Sequence, residues 1–211
     1  MNLTKKTINY WNNFYSKKKA INKPTNFAFF CLNYLNSYSG ILYDAGCGNG
    51  RDTVFFNRKN INTIGLDISG SAIKINKKKN KQLQKKFFKK NFCNYFKKKI
   101  KKNFSVYLRF TIHTINYKNE KIFLNSLFKQ KNLDYLFIET RTTQDEFYKV
   151  GKKVGRNQYI SDHFRRFIVP KELKKTLSKK FHIIYLKQSI QFAKYKNFKP
   201  NVLRIIAKKK F

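Results

Sequence analysis

Three glycines within five positions, Gly46, Gly48 and Gly50, constrain this chain more than any other feature. They follow the apolar run Ile41-Leu42-Tyr43 and then Asp44, so ILYDAGCGNGRD reads as a buried strand that turns into a helix. Alternating glycines at such a turn leave bare backbone for a ligand to press against. The chain has only 8 glycines in 211 residues, so their clustering here has a local cause. A dinucleotide-binding turn has the spacing G-x-G-x-x-G and carries a pyrophosphate at the helix N-terminus. Here the third glycine comes one residue early, and Arg51 stands where that pattern needs glycine. Asp44, two positions before Gly46, would also repel a pyrophosphate.

A second element narrows the reading. Ile61 to Ser69, INTIGLDIS, predicts another buried strand ending in Asp67, 17 residues after Gly50. In doubly wound folds, an acid at the end of the second strand accepts hydrogen bonds from a ribose. The pattern D-x-G-x-G-x-G followed by Asp67 resembles the class I S-adenosylmethionine (SAM) methyltransferases. SAM has no phosphate and carries a sulfonium and an ammonium, which favour a carboxylate nearby. The resemblance implies cofactor contacts from Asp44, Ala45, Gly46, Cys47, Gly48 and Gly50, from Asp67 and Ile68, and from Asn91, Phe92 and Arg109. The family often ends its third strand in an acid that meets the adenine amine. Asn91 stands there instead, and an amide can still accept that bond.

A chain of 211 residues suffices for one domain with a real core. No apolar run approaches the ~20 residues of a membrane span, and MNLTKKTINYW lacks the apolar centre of a signal peptide. Cys31, Cys47 and Cys93 form no C-x-x-C spacing, which fits a reducing cytosol and argues against a structural metal site. Cys47 reads as a small packed residue of the turn.

The net charge of +38 raises a nucleic-acid partner. Of 48 basic residues only 8 are Arg, leaving 48 − 8 = 40 Lys, in a chain rich in Asn, Ile, Phe and Tyr. AT-rich coding produces this bias regardless of function, so nucleic acid is an alternative partner and not the preferred one. The bias does not explain the scarcity of acids, 10 in all. Residue types that run against it (Arg, Asp, Glu, Gly, His) cluster at 44–52, 65–70, 109–113 and 139–166.

In chain order, Tyr10, Trp11, Phe14 and Tyr15 give an aromatic face to a short N-terminal helix, which in the resembled family can lie over the cofactor or the acceptor, with core packing as the alternative. Thr25 caps a second helix with an apolar stripe from Phe27 to Leu35, closed by Ser39-Gly40. After the glycine turn, a helix over 52–59 precedes the second strand. The next helix starts at Ser69 or Ser71 and runs to about Gln84, before a third strand over 87–92. Lys97 to Lys102 reads as a solvated basic run. Strands over 105–110 and 134–140 flank a helix over 120–131. A long segment, 141–168, shows few strand or helix signals, and such loops are usually functional. A helix over 170–178, strands over 181–188 and 201–207, and a frayed Lys208–Lys210 complete the chain.

The expected fold is α/β: a doubly wound, seven-stranded, mostly parallel, Rossmann-like sheet with an antiparallel last strand and helices on both faces. It forms a single domain over 1–211, with an N-terminal helical segment (1–40), a cofactor half (41–92) and an acceptor half (104–211). The expected function is SAM-dependent methyl transfer in the cytoplasm to a small or saccharide-type, anionic acceptor, with O-methylation favoured. YLRFTIHTI, ETRTTQD and DHFRRF look similar to small bacterial methyltransferases of sugar and surface-polysaccharide pathways, and more distantly to the tellurite-resistance and thiopurine groups. The segment from Arg141 to Arg166 is the candidate acceptor-recognition element, with Arg141, Asp145, Asp162, Arg165 and Arg166 as binding residues because arginines suit bidentate anion binding; a salt-bridged surface pair is the alternative for Arg165-Arg166. His113 and His163 are the candidate general bases, and His182, in an apolar strand, reads as structural. An RNA or DNA methyltransferase is the first alternative, although LRFT replaces the N-P-P-[YF] tetrapeptide of base-amine methylation. The second is a non-catalytic SAM- or polyanion-binding protein. The acceptor's identity and the oligomeric state are not set by the sequence.

Overall fold

The structure is a computed structural model, and it describes residues 3–17, 21–194 and 197–210. A seven-stranded sheet has the order β3-β2-β1-β4-β5-β10-β9. Its first five members are β1 (Ile41–Ala45), β2 (Thr63–Asp67), β3 (Phe87–Lys89), β4 (Phe104–Arg109) and β5 (Leu133–Arg141). They run parallel, with Leu42 level with Thr63 on one side and Ser105 on the other. The last two are β9 (Phe181–Ser189) and β10 (Val202–Lys209). β10 slots between β5 and β9 and is antiparallel to both. Central strands buried on both faces are mainly apolar, with single polar residues such as Asp44 in LYDA and Ser105 in SVYL.

Helices cover both faces. α2 (Asn26–Leu32) and α3 (Arg51–Arg58) lie on one face, where Phe27, Phe56, Tyr107 and Phe137 pack together. α5 (Phe92–Tyr95), α6 (Tyr117–Phe128) and α7 (Pro170–Ser178) lie on the other, over Phe96, Phe104, Phe123 and Leu136. α4 (Gly70–Lys79) packs beside β3, and α1 (Leu3–Lys17) crosses α4 at the carboxyl end of the sheet.

Asp52 ties these layers together. It is 5% exposed and accepts from Thr25 N (2.8 Å), Thr25 Oγ1 (2.9 Å) and Tyr107 Oη (2.8 Å). One carboxylate thereby joins the cap of α2, the start of α3 and the middle of β4. Thr25 Oγ1 and Tyr107 Oη lie 3.2 Å apart, so one can donate to the other. Asp52→Ala therefore leaves Thr25 N and one of the two hydroxyls buried without an acceptor, and is expected to cost about 2–4 kcal/mol in urea unfolding. A loss under about 1 kcal/mol would show that the donors find water or other partners.

The structure corrects several element expectations. The third strand stops at Lys89, because the side chain of Asn91 accepts from Cys93 N and starts α5. α4 ends at Lys79, and a 3-10 turn follows over Lys81–Lys86. α6 begins at Tyr117, capped by Asn116, and ends at Phe128. The segment 141–168 is not a plain loop. It forms a three-stranded antiparallel sheet of β6 (Lys152–Gly155), β7 (Gln158–Ile160) and β8 (Phe164–Arg166). The chain end is not frayed through Lys210: Lys208 and Lys209 belong to β10, and Lys209 Nζ donates to Phe128 O at 2.8 Å. No helix among the described residues is long and apolar enough to cross a membrane.

Candidate active site

The carboxyl ends of β1, β2 and β4 open into a cavity of about 560 Å³, roofed by Thr7, Trp11, Phe14 and Tyr15 of α1. The floor is the glycine turn. Gly46 (φ 85°) and Gly48 (φ 52°) are both left-handed, and a Cβ at either would lie within 2.4 Å of Thr111 or Tyr15. Both conformation and space therefore require glycine there. Asn76 Nδ2 donates to Gly48 O at 2.8 Å and pins the turn from α4.

Two carboxylates flank this floor. Asp44, 3% exposed, accepts from Thr53 Oγ1 at 2.6 Å. Burial, reinforced by the Asp52 carboxylate, pushes its carboxyl up to about 8 despite the Thr53 bond. Asp67, 7% exposed, accepts from Gly48 N and Ser69 N, each at 2.8 Å. Burial raises its affinity for a proton, and the amides of Ser69, Gly48 and Ile68 oppose that shift. Asp67 thus holds the turn while still lining the cavity.

The remaining walls divide by chemistry. Ile68, Asn91, Phe92 and Cys93 form an apolar slot with one amide beyond β2 and β3. Arg109, Phe110, Thr111, Thr114, Ile115, Asn116 and Asn119 form the opposite end, closed by Phe164 of β8. Phe110 adopts φ 54°, a strained conformation for a bulky residue and a common mark of functional sites. The Arg109 guanidinium lies 4.5 Å from its ring centroid and 3.2 Å from Glu139 Oε1, with 22% of its side chain exposed. Its Nε still lacks a hydrogen bond among the described residues, so the Glu139 contact is Coulombic and not directional.

The expected cofactor residues Asp44, Gly46, Cys47, Gly48, Asp67, Ile68, Asn91, Phe92 and Arg109 all line this one cavity. Ala45 and Gly50 stand behind the turn, in β1 and at the cap of α3. Burial holds the Cys47 thiol well above its ordinary range, which suits a packed residue.

The expected acceptor residues sit elsewhere. Arg141 pairs with Asp145 (2.7 Å), Arg165 with Asp162 (2.6 Å) and Arg166 with Glu120. None of these is a wall of the cavity. Neither histidine lines it either. His113 is 4% exposed, with Nδ1 3.2 Å from Thr140 Oγ1, and burial holds it neutral. His163 lies tilted against Tyr10 and edge-on to Trp11 beneath α1, and burial lowers it to about 4. At neutral pH its contact with Asp162 is therefore a hydrogen bond and not an ion pair. Among the described residues, no cluster of His, Cys, Asp or Glu is placed to hold a metal ion.

Sequence reasoning did not place Arg51, Thr114, Asn116, Asn119 or Phe164 at the site, whereas Trp11, Phe14 and Tyr15 of the N-terminal helix lie over the cavity as one of the two readings of that segment expected. Only Arg51 carried a signal, its position directly after the third glycine. Arg204 was also missed. Buried in β10, it donates to Glu139 Oε2 at 2.7 Å and stacks 4.2 Å from Phe192, and it anchors the acid that faces Arg109.

No family model matches the chain, and no curated protein matches its sequence. Solved structures do match its shape. A SAM-dependent methyltransferase from Anabaena variabilis superposes with a TM-score of 0.70 at 18% identity, over 100% of this chain and 96% of that one. Magnesium protoporphyrin IX methyltransferase from Synechocystis, solved with bound SAM, gives 0.69 at 11% identity, over 100% and 98%. The 1,6-didemethyltoxoflavin-N1-methyltransferase of Burkholderia thailandensis, solved with its substrate and S-adenosylhomocysteine, gives 0.66 at 13% identity, over 99% and 86%. The fold is that of the class I SAM-dependent methyltransferases.

Proposed function

We propose that the chain is a SAM-dependent methyltransferase that acts on a small, anionic acceptor. The observation that carries the reading is the cavity itself: a glycine floor flanked by two buried carboxylates in a methyltransferase fold. The residues fit SAM group by group. Asp44 matches the cationic methionine end, Asp67 the ribose hydroxyls, and Ile68, Asn91 and Phe92 the adenine.

When bound, SAM supplies an electrophilic methyl group on its sulfonium. The protein's task is then alignment and exclusion of water. Trp11, Phe14, Phe110 and Phe164 enclose the acceptor end, and Thr114, Asn116 and Asn119 offer polar groups to orient the acceptor. Neither His113 nor His163 reaches the cavity, and among the described residues its acids lie at the glycine-turn end. An acceptor that is already anionic at neutral pH, such as a carboxylate or an acidic enol or phenol, needs no base. Arg109 and Arg51 supply the only cations on the wall among the described residues. O-methylation of such an anion fits better than methylation of a sugar hydroxyl.

The test is transfer of labelled methyl from SAM into a cell extract split by size. Label is expected in the small-molecule fraction as a base-labile ester or an enol or phenol ether. Label confined to macromolecules, or to neutral sugars, would overturn the acceptor assignment. Arg109→Gln is expected to cut kcat/KM by about 10- to 100-fold by removing a charge-assisted hydrogen bond to the acceptor. An unchanged kcat/KM would take Arg109 out of acceptor binding.

A further inference from the structure

The charge of +38 is distributed in a way that coding bias does not explain. Five of the ten acids are buried: Asp44, Asp52, Asp67, Glu139 and Asp145. Three more are paired, Glu120 with Arg166, Asp162 with Arg165 and Glu172 with Arg156. Asp134 is half-buried beside Tyr38 and Lys208. Among the described residues, only Glu146 is exposed and outside any ion pair. AT-rich coding adds lysines, but it does not withdraw acids from the surface.

The cations also concentrate. Between Asp67 and Glu120 the chain holds fifteen lysines and no acid. Fourteen of these lysines precede β4, in the part of the chain that includes the β3 edge strand and Asn91, Phe92 and Cys93 of the cavity wall. A groove of about 380 Å³ lies there, lined by Lys90, Asn94, Tyr95, Lys97 and Lys98. It meets the methyl-transfer cavity at Asn91, which lines both. Aromatic rings stand among the charges. Phe88 is 40% exposed on the edge strand, and Lys98 Nζ lies 4.5 Å from the Tyr95 centroid. The Asn91 carbonyl oxygen caps α5, which leaves its amide NH2 as a donor toward a ligand.

We propose that this Lys90–Lys98 groove and the neighbouring Phe88 bind single-stranded RNA along the rim of the cavity. Lysines suit phosphates as point charges, and exposed rings give bases a stacking platform that tolerates any sequence. The Asn94 amide can both donate to and accept from a 2′-hydroxyl, and the Asn91 NH2 can donate to one; that hydroxyl separates RNA from DNA. The inference stands whatever acceptor enters the cavity, because its test reads binding and not methylation.

The experiment is fluorescence anisotropy of the full chain with a labelled 12-nucleotide oligo(U), titrated across salt concentrations. The triple variant K90Q/K97Q/K98Q is expected to lose about tenfold or more in affinity near 0.15 M salt, and its log K against log salt slope should fall by about 2. The control K171Q/K174Q/K175Q removes the same charge from α7, at the opposite edge of the sheet. It should change the affinity by less than about threefold. Phe88→Ala should cost about fivefold or more with the slope unchanged, which separates stacking from charge. Calorimetric SAM binding by each variant serves as the folding control. Equal losses in the two triple variants would mean diffuse attraction and would overturn the groove. Equal affinity for oligo(dT) would overturn the choice of RNA, and an unaffected Phe88→Ala would overturn the stacking role.

Discussion

Asp67→Ala is expected to raise the Kd for SAM by about 10- to 150-fold and to destabilise the free protein by about 2–4 kcal/mol. Both effects have one origin. The Asp67 carboxylate accepts from Gly48 N and Ser69 N at 2.8 Å in a site 7% exposed. Its removal strands two buried amides and loosens the glycine floor on which a ligand rests. In the proposed SAM site it also removes the acceptor for the ribose hydroxyls. Asp67→Asn separates the two roles, since it keeps an acceptor oxygen for one amide and loses the charge. Calorimetry and urea unfolding on both variants read the two effects independently. An Asp67→Ala protein that loses stability and keeps its SAM affinity would reduce Asp67 to a structural residue.

Asp44 carries the second large effect. Its carboxyl sits near 8 in the free protein because burial and the neighbouring Asp52 disfavour its charge. It is therefore mostly protonated at pH 6, while the cationic end of SAM requires the carboxylate. Binding must release that proton, so affinity is expected to rise by up to about tenfold per pH unit between pH 6 and 7.5. Calorimetry at pH 6.5 in two buffers of different ionisation heat should give about one proton released per SAM bound. Asp44→Asn should give about none, with a weaker and nearly pH-independent affinity. The sign for stability follows from the same shift. A folded value raised above the unfolded 3.8 favours the protonated native state. The stabilisation is complete below the unfolded value and is lost as pH rises through about 8. The free protein should weaken over that window, and Asp44→Asn should not. A pH-independent SAM affinity in the unmodified protein would contradict this account of Asp44.

The cofactor half was legible because its constraints are local. Gly46 and Gly48 need left-handed backbone with no room for a side chain, and such positions show in one sequence as glycine against the compositional grain. Asp67 was legible because the end of an apolar strand is a predictable place. The acceptor half was less so, because local spacing is ambiguous there. An arginine near an acid reads the same whether it faces a ligand or its neighbour. The spacings Arg141–Asp145 (i, i+4) and Asp162–Arg165 (i, i+3) did allow the local pairs that formed. The N-terminal aromatic helix could be read as a roof, but its specific contacts were hidden because they are distant in sequence: Tyr15 against Gly48, and Asn12 Oδ1 accepting from Ser69 Oγ at 2.9 Å. The strands β6 to β8 escaped notice because each has only three or four residues, too few to show an alternation. Asn91 was placed at a strand end, where its residue type served equally well to cap a helix.

The central claim is that the cavity above the glycine turn takes SAM and not a dinucleotide. Isothermal titration calorimetry of the full chain with SAM, S-adenosylhomocysteine and NAD tests it most directly. The account predicts one SAM site per chain, loss of binding on Gly48→Val, where a Cβ would meet the Tyr15 hydroxyl, and no heat from NAD. Binding of NAD without SAM would contradict it.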